Sequence, residues 1–299
     1  MRILETVSEL QQLSDAERAA GRRIALVPTM GALHPGHLSL VKVARERADR
    51  VWVSIFVNPT QFNDPNDLSA YPRSLDADLE ACELAGVDVV FRPDAGEMYP
   101  SDGQTTVEVG GLCEPLCGRA RPGHFRGVTT IVSKLLLAAK PHVAVFGEKD
   151  YQQLAVIRRM VRDLGFGVEV VGAATLREAD GLAMSSRNAN LDPEARRQAV
   201  ALVRALDAAE AAAASGETDR DQLLALARAE IARASLASID YAELCDPDSL
   251  AAAPSSLKSP ALLALAVYFE PSDATAGSRV RLIDNRVLPV QHNHEDPSS

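Results

Sequence analysis

RIALVPTMGALHPGHLSLVKVARERADRVWVSIFV, residues 23–57, is the stretch on which the fold turns. Residues 23–28 (RIALVP) and 51–57 (VWVSIFV) are short, nearly continuous apolar runs, the pattern of parallel strands buried on both faces. Between them, 38–48 (LSLVKVARERA) carries apolar residues at helical spacing, so the stretch predicts a strand, helix, strand unit. The alternation continues outward, with a helix at 75–85, a strand at 87–92, a helix at 126–139, a strand at 143–146, a helix at 151–164 and a strand at 168–172. Repetition of this kind predicts an α/β fold with a doubly wound parallel sheet, in which ligands lie at the carboxyl ends of the strands.

After about residue 190 the texture changes. An Ala-rich stretch at 195–214 and a second helical stretch at 220–236 precede three β-like segments at 238–244, 261–269 and 279–284. These predict a smaller α+β domain with an antiparallel sheet. The boundaries are therefore set at 1–175 for the first domain and 176–291 for the second, with a polar, frayed tail at 292–299. A chain of 299 residues is long enough for two cores.

The formal net charge is −10, from 41 acidic against 31 basic residues, the wrong sign for attracting nucleic acid. No apolar run approaches the roughly 20 residues needed to cross a bilayer, and the N-terminus lacks the apolar stretch of a secretion signal. Four scattered cysteines (Cys82, Cys113, Cys117 and Cys245) form no disulfide framework, which fits a reducing cytoplasm. Cys113 and Cys117 have no second pair to complete a zinc site and read as buried or incidental thiols.

Three segments carry chemistry. In PTMGALHPGHLSL (28–40) a buried strand ends, Gly31 turns the chain, and His34 and His37 flank Pro35 and Gly36. Pro35 suits the first turn of a helix, Gly36 leaves room for a ligand to approach the backbone, and a helix N-terminus attracts phosphate. Two imidazoles there would stabilise charge on a phosphate under attack, a better account of the glycines than zinc binding. In VAVFGEKDYQQL (143–154), Lys149 suits a phosphate oxygen, Asp150 is placed to cap the following helix, and Gln153 offers an amide to a polar substrate. READGLAMSSRN (177–188) reads as a lid, with Ser185, Ser186 and Arg187 closing over phosphates. Asn58 and Gln61 in VNPTQFND supply further amides, for a carboxylate or hydroxyl. The basic loop GRARPGHFRG (118–127), with Arg119, Arg121, His124 and Arg126, reads either as a phosphate holder or as a solvated loop.

HPGH after the first strand, GEKDYQQ after a later one and a final DGLAMSSRN together resemble the pantothenate synthetase family, with VSIFVNPTQF and DLSAYPR between them also similar to it. HPGH further resembles the HxGH signature of a wider nucleotidylyltransferase superfamily. The resemblance covers roughly residues 20–190. It implies a Rossmann-like N-terminal domain, a small C-terminal domain that closes over it, and a homodimer. It also implies a ligase that joins pantoate to β-alanine with ATP and Mg2+, through pantoyl adenylate. By position it implies that Met30, Gly31, Ala32, Leu33, His34, Pro35, Gly36 and His37, together with Gly147, Glu148, Lys149 and Asp150, line the ATP. Leu176 then falls near the adenine, and Met184, Ser185, Ser186 and Arg187 lie over the phosphates. Gln61 and Gln153 would hold pantoate, and His37 is the residue the family treats as proton donor, although His34 and His37 read chiefly as charge stabilisers joined by Lys149, with Arg187 countering charge on the departing pyrophosphate and Asp78 near the magnesium. The alternative within the superfamily is a nucleotidylyltransferase acting on a phosphorylated acceptor.

Overall fold

The structure is a computed structural model and describes residues 1–63, 65–273 and 279–290; the tail at 292–299 lies outside the described residues. The chain divides into two compact units, Met1–Leu176 and Arg177–Ser299.

The first unit is a six-stranded sheet, all parallel, built from β1 (Arg2–Leu4), β2 (Ile24–Thr29), β3 (Arg50–Ile55), β4 (Val89–Phe91), β5 (Val143–Gly147) and β6 (Glu169–Ala173). Its helices are α1 (Val7–Ala19), α2 (Pro35–Arg45), α3 (Pro65–Ala70), α4 (Leu75–Leu84), α5 (Ala95–Met98), α6 (Cys117–Ala120), α7 (His124–Ala139) and α8 (Tyr151–Asp163). Alternate residues of one strand enter different cores. Leu26, Trp52 and Phe146 pack with Leu10, Ile131, Leu135 and Ile157 on one face, whereas Ala25, Val27, Val53 and Val145 pack with Leu40, Val41 and Ala44 on the other. Burial on both faces is why these strands read as unbroken apolar runs.

Strand order is β1-β4-β3-β2-β5-β6. The chain therefore builds outward from β2 through β3 and β4, then returns to add β5 and β6 on the other side of β2. Connections leaving β2 and β5 run in opposite directions, which opens a crevice at their carboxyl ends. The register that pairs Leu26 with Ala144 brings Thr29 and Gly147, the last residues of the two strands, to the same level.

Periodicity in the sequence does not mark β1 and α1. Helix α1 is capped by Thr6 and Glu9 in a reciprocal capping box, but only Leu10 and Ser14 are fully buried on it, so its apolar stripe is too thin to register.

The second unit packs α9 (Pro193–Gln198), α10 (Ala201–Ala214) and α11 (Arg220–Ala232) on an antiparallel sheet of β7 (Ala237–Cys245), β8 (Ala261–Phe269) and β9 (Val280–Leu288). The Ala-rich stretch is thus two helices rather than one. β9 runs past the predicted end at 284 because Asp284, an acid that reads as a strand terminus, is buried in mid-strand. Arg177 makes that burial tolerable by donating to both its oxygens, at 2.7 and 3.1 Å. No helix among the described residues is long and apolar enough to cross a membrane.

Candidate active site

The turn after β2 is built around two consecutive residues of positive φ, Gly31 at +81° and Ala32 at +49°. A Cβ on Gly31 would sit 2.9 Å from Oδ2 of Asp78, so glycine is required there by space as well as by conformation. His34 then caps α2 with extended backbone, and Pro35 occupies the first helical turn.

The two histidines form a reciprocal cap. Nδ1 of His34 accepts the Gly36 N–H at 3.2 Å, and Nδ1 of His37 accepts the His34 N–H at 3.3 Å. The rings lie 4.1 Å apart between centroids. A neutral imidazole that accepts at Nδ1 carries its proton at Nε2, so the backbone contact fixes the tautomer of a neutral His37 and makes its Nε2–H the donor. Burial pushes His37 down to about 3, His34 and Lys149 act in the same direction, and Asp150 opposes them. His37 in the free protein is therefore a neutral hydrogen-bond donor rather than an imidazolium at pH 7.

Those same electrostatic partners place the β5 edge beside α2. Glu148, Lys149 and Asp150 form a single 3-10 turn directly after β5, leading into α8. Asp150 occupies the N-cap position of α8 but makes no side-chain cap bond, contrary to the capping role expected of it. Gly147 has an ordinary extended backbone with nothing within 4 Å of where a Cβ would be, so neither conformation nor packing explains the glycine.

Residues 58–61 lie at the carboxyl end of β3. Asn58 is 1% exposed and its amide is fully engaged. It donates to Oε1 of Gln61 at 3.0 Å and to the Gly127 carbonyl at 3.2 Å, while its oxygen accepts from Tyr99 Oη at 2.8 Å and Thr60 Oγ1 at 2.9 Å. Asn58 is thus a brace for Gln61 rather than a ligand group, a correction to the sequence reading. Gln61 donates through Nε2 to Met30 Sδ at 3.0 Å, a weak acceptor that a substrate oxygen can replace. Two side chains of the basic loop reach back to residue 61. Arg121 and His124 both contact the Gln61 carbonyl, at 3.1 and 2.8 Å. On α8 the adjacent glutamines have separate work. Gln152 is buried and ties the Cys117 N–H to the Leu112 and Pro115 carbonyls, whereas Gln153 is half-buried on the next position of the helix.

Asp78 is where the structure departs most from expectation. It is 2% exposed and accepts from the Ala32 N–H at 2.9 Å, the Leu33 N–H at 2.7 Å and Ser74 Oγ at 3.2 Å. Its oxygens hold the turn, and no group of three His, Cys, Asp or Glu side chains among the described residues is arranged to hold a metal. The N–H groups of Ala32 and Leu33 are accordingly spent on Asp78 and not on a phosphate.

The pantoate-β-alanine ligase family model matches residues 2–287. The chain belongs to the pantoate-β-alanine ligase family. It is 52% identical over 288 residues to the pantothenate synthetase of Syntrophobacter fumaroxidans, covering 96% of this chain and 99% of that one. To the pantothenate synthetase of Acetivibrio thermocellus it is 49% identical over 290 residues, covering 97% of this chain and 100% of that one. Among solved structures, the pantothenate synthetase of Thermus thermophilus superposes with a TM-score of 0.86 at 44% identity over 96% of this chain and 99% of that one. The pantoate-β-alanine ligase of Francisella tularensis, complexed with beta-gamma ATP and β-alanine, gives a TM-score of 0.76 at 33% identity over 96% and 97%.

In this pantoate-β-alanine ligase, the segment 177–188 is not a loose loop. Arg177 and Ala183 pair as an antiparallel bridge, Glu178 N–H donates to the Leu182 carbonyl, and Gly181 turns the chain at φ +90°. Arg196 binds Glu178 at 2.6 Å and Asp180 at 2.7 Å, and the Ser185 hydroxyl caps a 3-10 turn by accepting the Arg187 N–H at 3.2 Å. These bonds staple the segment into the second unit. Met184, Ser185, Ser186 and Arg187 all belong to that unit, whereas Leu176, 40% exposed, ends the first.

Proposed function

We propose that this chain condenses pantoate with β-alanine to pantothenate, using ATP and releasing AMP and pyrophosphate. In the first step a carboxylate oxygen of pantoate attacks the α-phosphorus of ATP; the bond from that phosphorus to the bridging oxygen breaks and pyrophosphate leaves. In the second, the amine of β-alanine attacks the acyl carbon of pantoyl adenylate, the carbon–oxygen bond breaks, AMP departs and the amine loses a proton. Adenylation is needed because a free carboxylate is a poor acyl donor and AMP is a good leaving group.

The observation that carries this reading is the histidine pair at the switch between β2 and β5. Backbone N–H groups reach each Nδ1, and the neutral His37 holds its Nε2–H donor at a helix N-terminus near Lys149. Donors preorganised around an attacked phosphate stabilise the charge that builds on its oxygens. His37 acts in this reading as a charge stabiliser. Gln61 and Gln153 present amides to the oxygens of pantoate, and Met30, linked to Gln61, joins the nucleotide segment to the pantoate segment. Glu148 and Asp150 flank Lys149, Gly147 admits the nucleotide to the backbone, and Leu176 lies against the adenine. Met184, Ser185, Ser186 and Arg187 engage the phosphates on the strength of the DGLAMSSRN motif.

Magnesium finds no carboxylate cage among the described residues, since Asp78 is committed to the turn. In this reading it arrives coordinated by ATP and water, as is usual for that ion, and no step is assigned to it. A cytoplasmic homodimer completes the proposal.

Exchange of labelled pyrophosphate into ATP, measured with magnesium and without β-alanine, tests it. Exchange that requires pantoate, followed by AMP and pantothenate on adding β-alanine, is the expected result. A folded, ATP-binding protein that shows no exchange would overturn it and favour a phosphorylated acceptor.

A further inference from the structure

We infer that Asp78 is a positioning residue for adenylation, holding the turn that carries His34 and His37. The inference rests on the reading of the β2–β5 edge as the adenylation site. Two consecutive left-handed residues, one of them the non-glycine Ala32 at φ +49°, do not hold themselves in place. A non-glycine residue is strained there, and such a conformation persists only when its surroundings determine it.

Asp78 supplies that determination. Its Oδ2 takes the Ala32 N–H at 2.9 Å and its Oδ1 takes the Leu33 N–H at 2.7 Å, and the carboxylate is buried. Successive N–H groups around a left-handed turn make a concave anion site, and here the protein fills it with its own carboxylate. Leu33 is bonded to His34, the N-cap of α2, and the His34 N–H is held by Nδ1 of His37. A displacement of the Leu33 amide is therefore delivered to the first ring within one residue, and to the second through the reciprocal cap.

The residue type follows from the same geometry. Both oxygens must accept, and an amide would turn an NH2 group against a backbone N–H. A metal would compete for oxygens that are already engaged. Oδ1 receives Ser74 Oγ at 3.2 Å in addition to Leu33, and Oδ2 lies 2.9 Å from the position of a Cβ on Gly31, in crowded surroundings.

The test uses the full-length chain and its Asp78→Asn and Ser74→Ala variants. Pantoate-dependent pyrophosphate exchange is measured over a range of magnesium concentrations, and the histidine ring nitrogens are observed by 15N NMR. Asp78→Asn is expected to lower the exchange kcat about 10²-fold, the usual consequence of a reacting group displaced by about 1 Å. Ser74→Ala, which removes one exposed hydroxyl donor, is expected to lower it several-fold. In both, the half-saturating magnesium concentration stays unchanged, and the His37 signals move from a single tautomer towards an averaged pair. Restoration of Asp78→Asn activity by high magnesium would overturn the inference in favour of a metal ligand. So would a loss confined to thermal stability, with kcat and the histidine signals unchanged. If Asp78→Asn fails to fold, Ser74→Ala decides: exchange and histidine spectra identical to the parent refute the inference. Absence of exchange in the parent chain would strike the adenylation reading instead, and the histidine spectra would still report whether Asp78 holds the turn.

Discussion

The side-chain amide of Asn58 donates to Oε1 of Gln61 across 3.0 Å, and this contact fixes which way the Gln61 amide is turned. Asn58 cannot flip, because its own oxygen is held by Tyr99 Oη and Thr60 Oγ1. Gln61 therefore turns Nε2, a donor, towards Met30 Sδ. Gln61→Glu replaces that donor with an acceptor. The expected result is a rise in the KM for pantoate of about 10- to 150-fold, the worth of a hydrogen bond to a charged group at about 1.5–3 kcal/mol, with a smaller change for ATP. Equal weakening of both substrates in initial-rate kinetics would remove Gln61 from the pantoate pocket.

His37 supports two measurements. Removing one preorganised donor typically costs 10²–10³-fold in rate, so His37→Ala should slow pyrophosphate exchange by about that factor while leaving the fold intact by circular dichroism. The pH dependence has a definite sign. Burial lowers His37 from 6.5 to about 3, so between those values the unfolded chain binds a proton that the folded chain does not. Its contribution to stability is full above pH 6.5 and is lost as pH falls towards 3. Denaturant unfolding at pH 7 and pH 5 should show a drop in the parent chain that is smaller in His37→Gln.

Gly31 and Gly147 make a matched pair. Gly31→Ala places a methyl group 2.9 Å from Asp78 Oδ2 at φ +81°, and should destabilise the first unit by about 1–3 kcal/mol. Gly147→Ala meets nothing within 4 Å, so its melting temperature should be unchanged. If ATP passes over that backbone, the same variant should nevertheless lose nucleotide affinity by calorimetry. Unaltered ATP binding would mean that the nucleotide does not approach Gly147.

In the second unit, Arg177→Met leaves Asp284 with a side chain of 0% exposure and no guanidinium. Breaking a buried pair by removing one partner costs about 3–5 kcal/mol, so thermal unfolding should fall markedly. Adding Asp284→Leu should recover part of the loss, since the uncompensated charge is then gone. A double variant no more stable than the single one would show that packing, and not charge, sets the cost.

The amino-acid sequence by itself determined the parallel sheet, the second α+β unit and the positions of HPGH, GEKD and DGLAMSSRN on the chain. Those features are encoded between near neighbours. Strands buried on both faces must be apolar throughout, a helix shows its period within a few turns, and a glycine followed by His-Pro-Gly-His announces a turn and a helix start. Tertiary structure alone decided which polar side chains hold the scaffold. Asp78 stands 45 and 46 residues from the N–H groups it accepts, His124 stands 63 from the carbonyl it contacts, and Arg177 stands 107 from Asp284. Gln152 and Gln153 are the same residue type side by side, and only the helix face separates the buried staple from its half-buried neighbour. A buried polar group must find a partner wherever the fold supplies one, and the sequence around that group carries no record of where the partner lies.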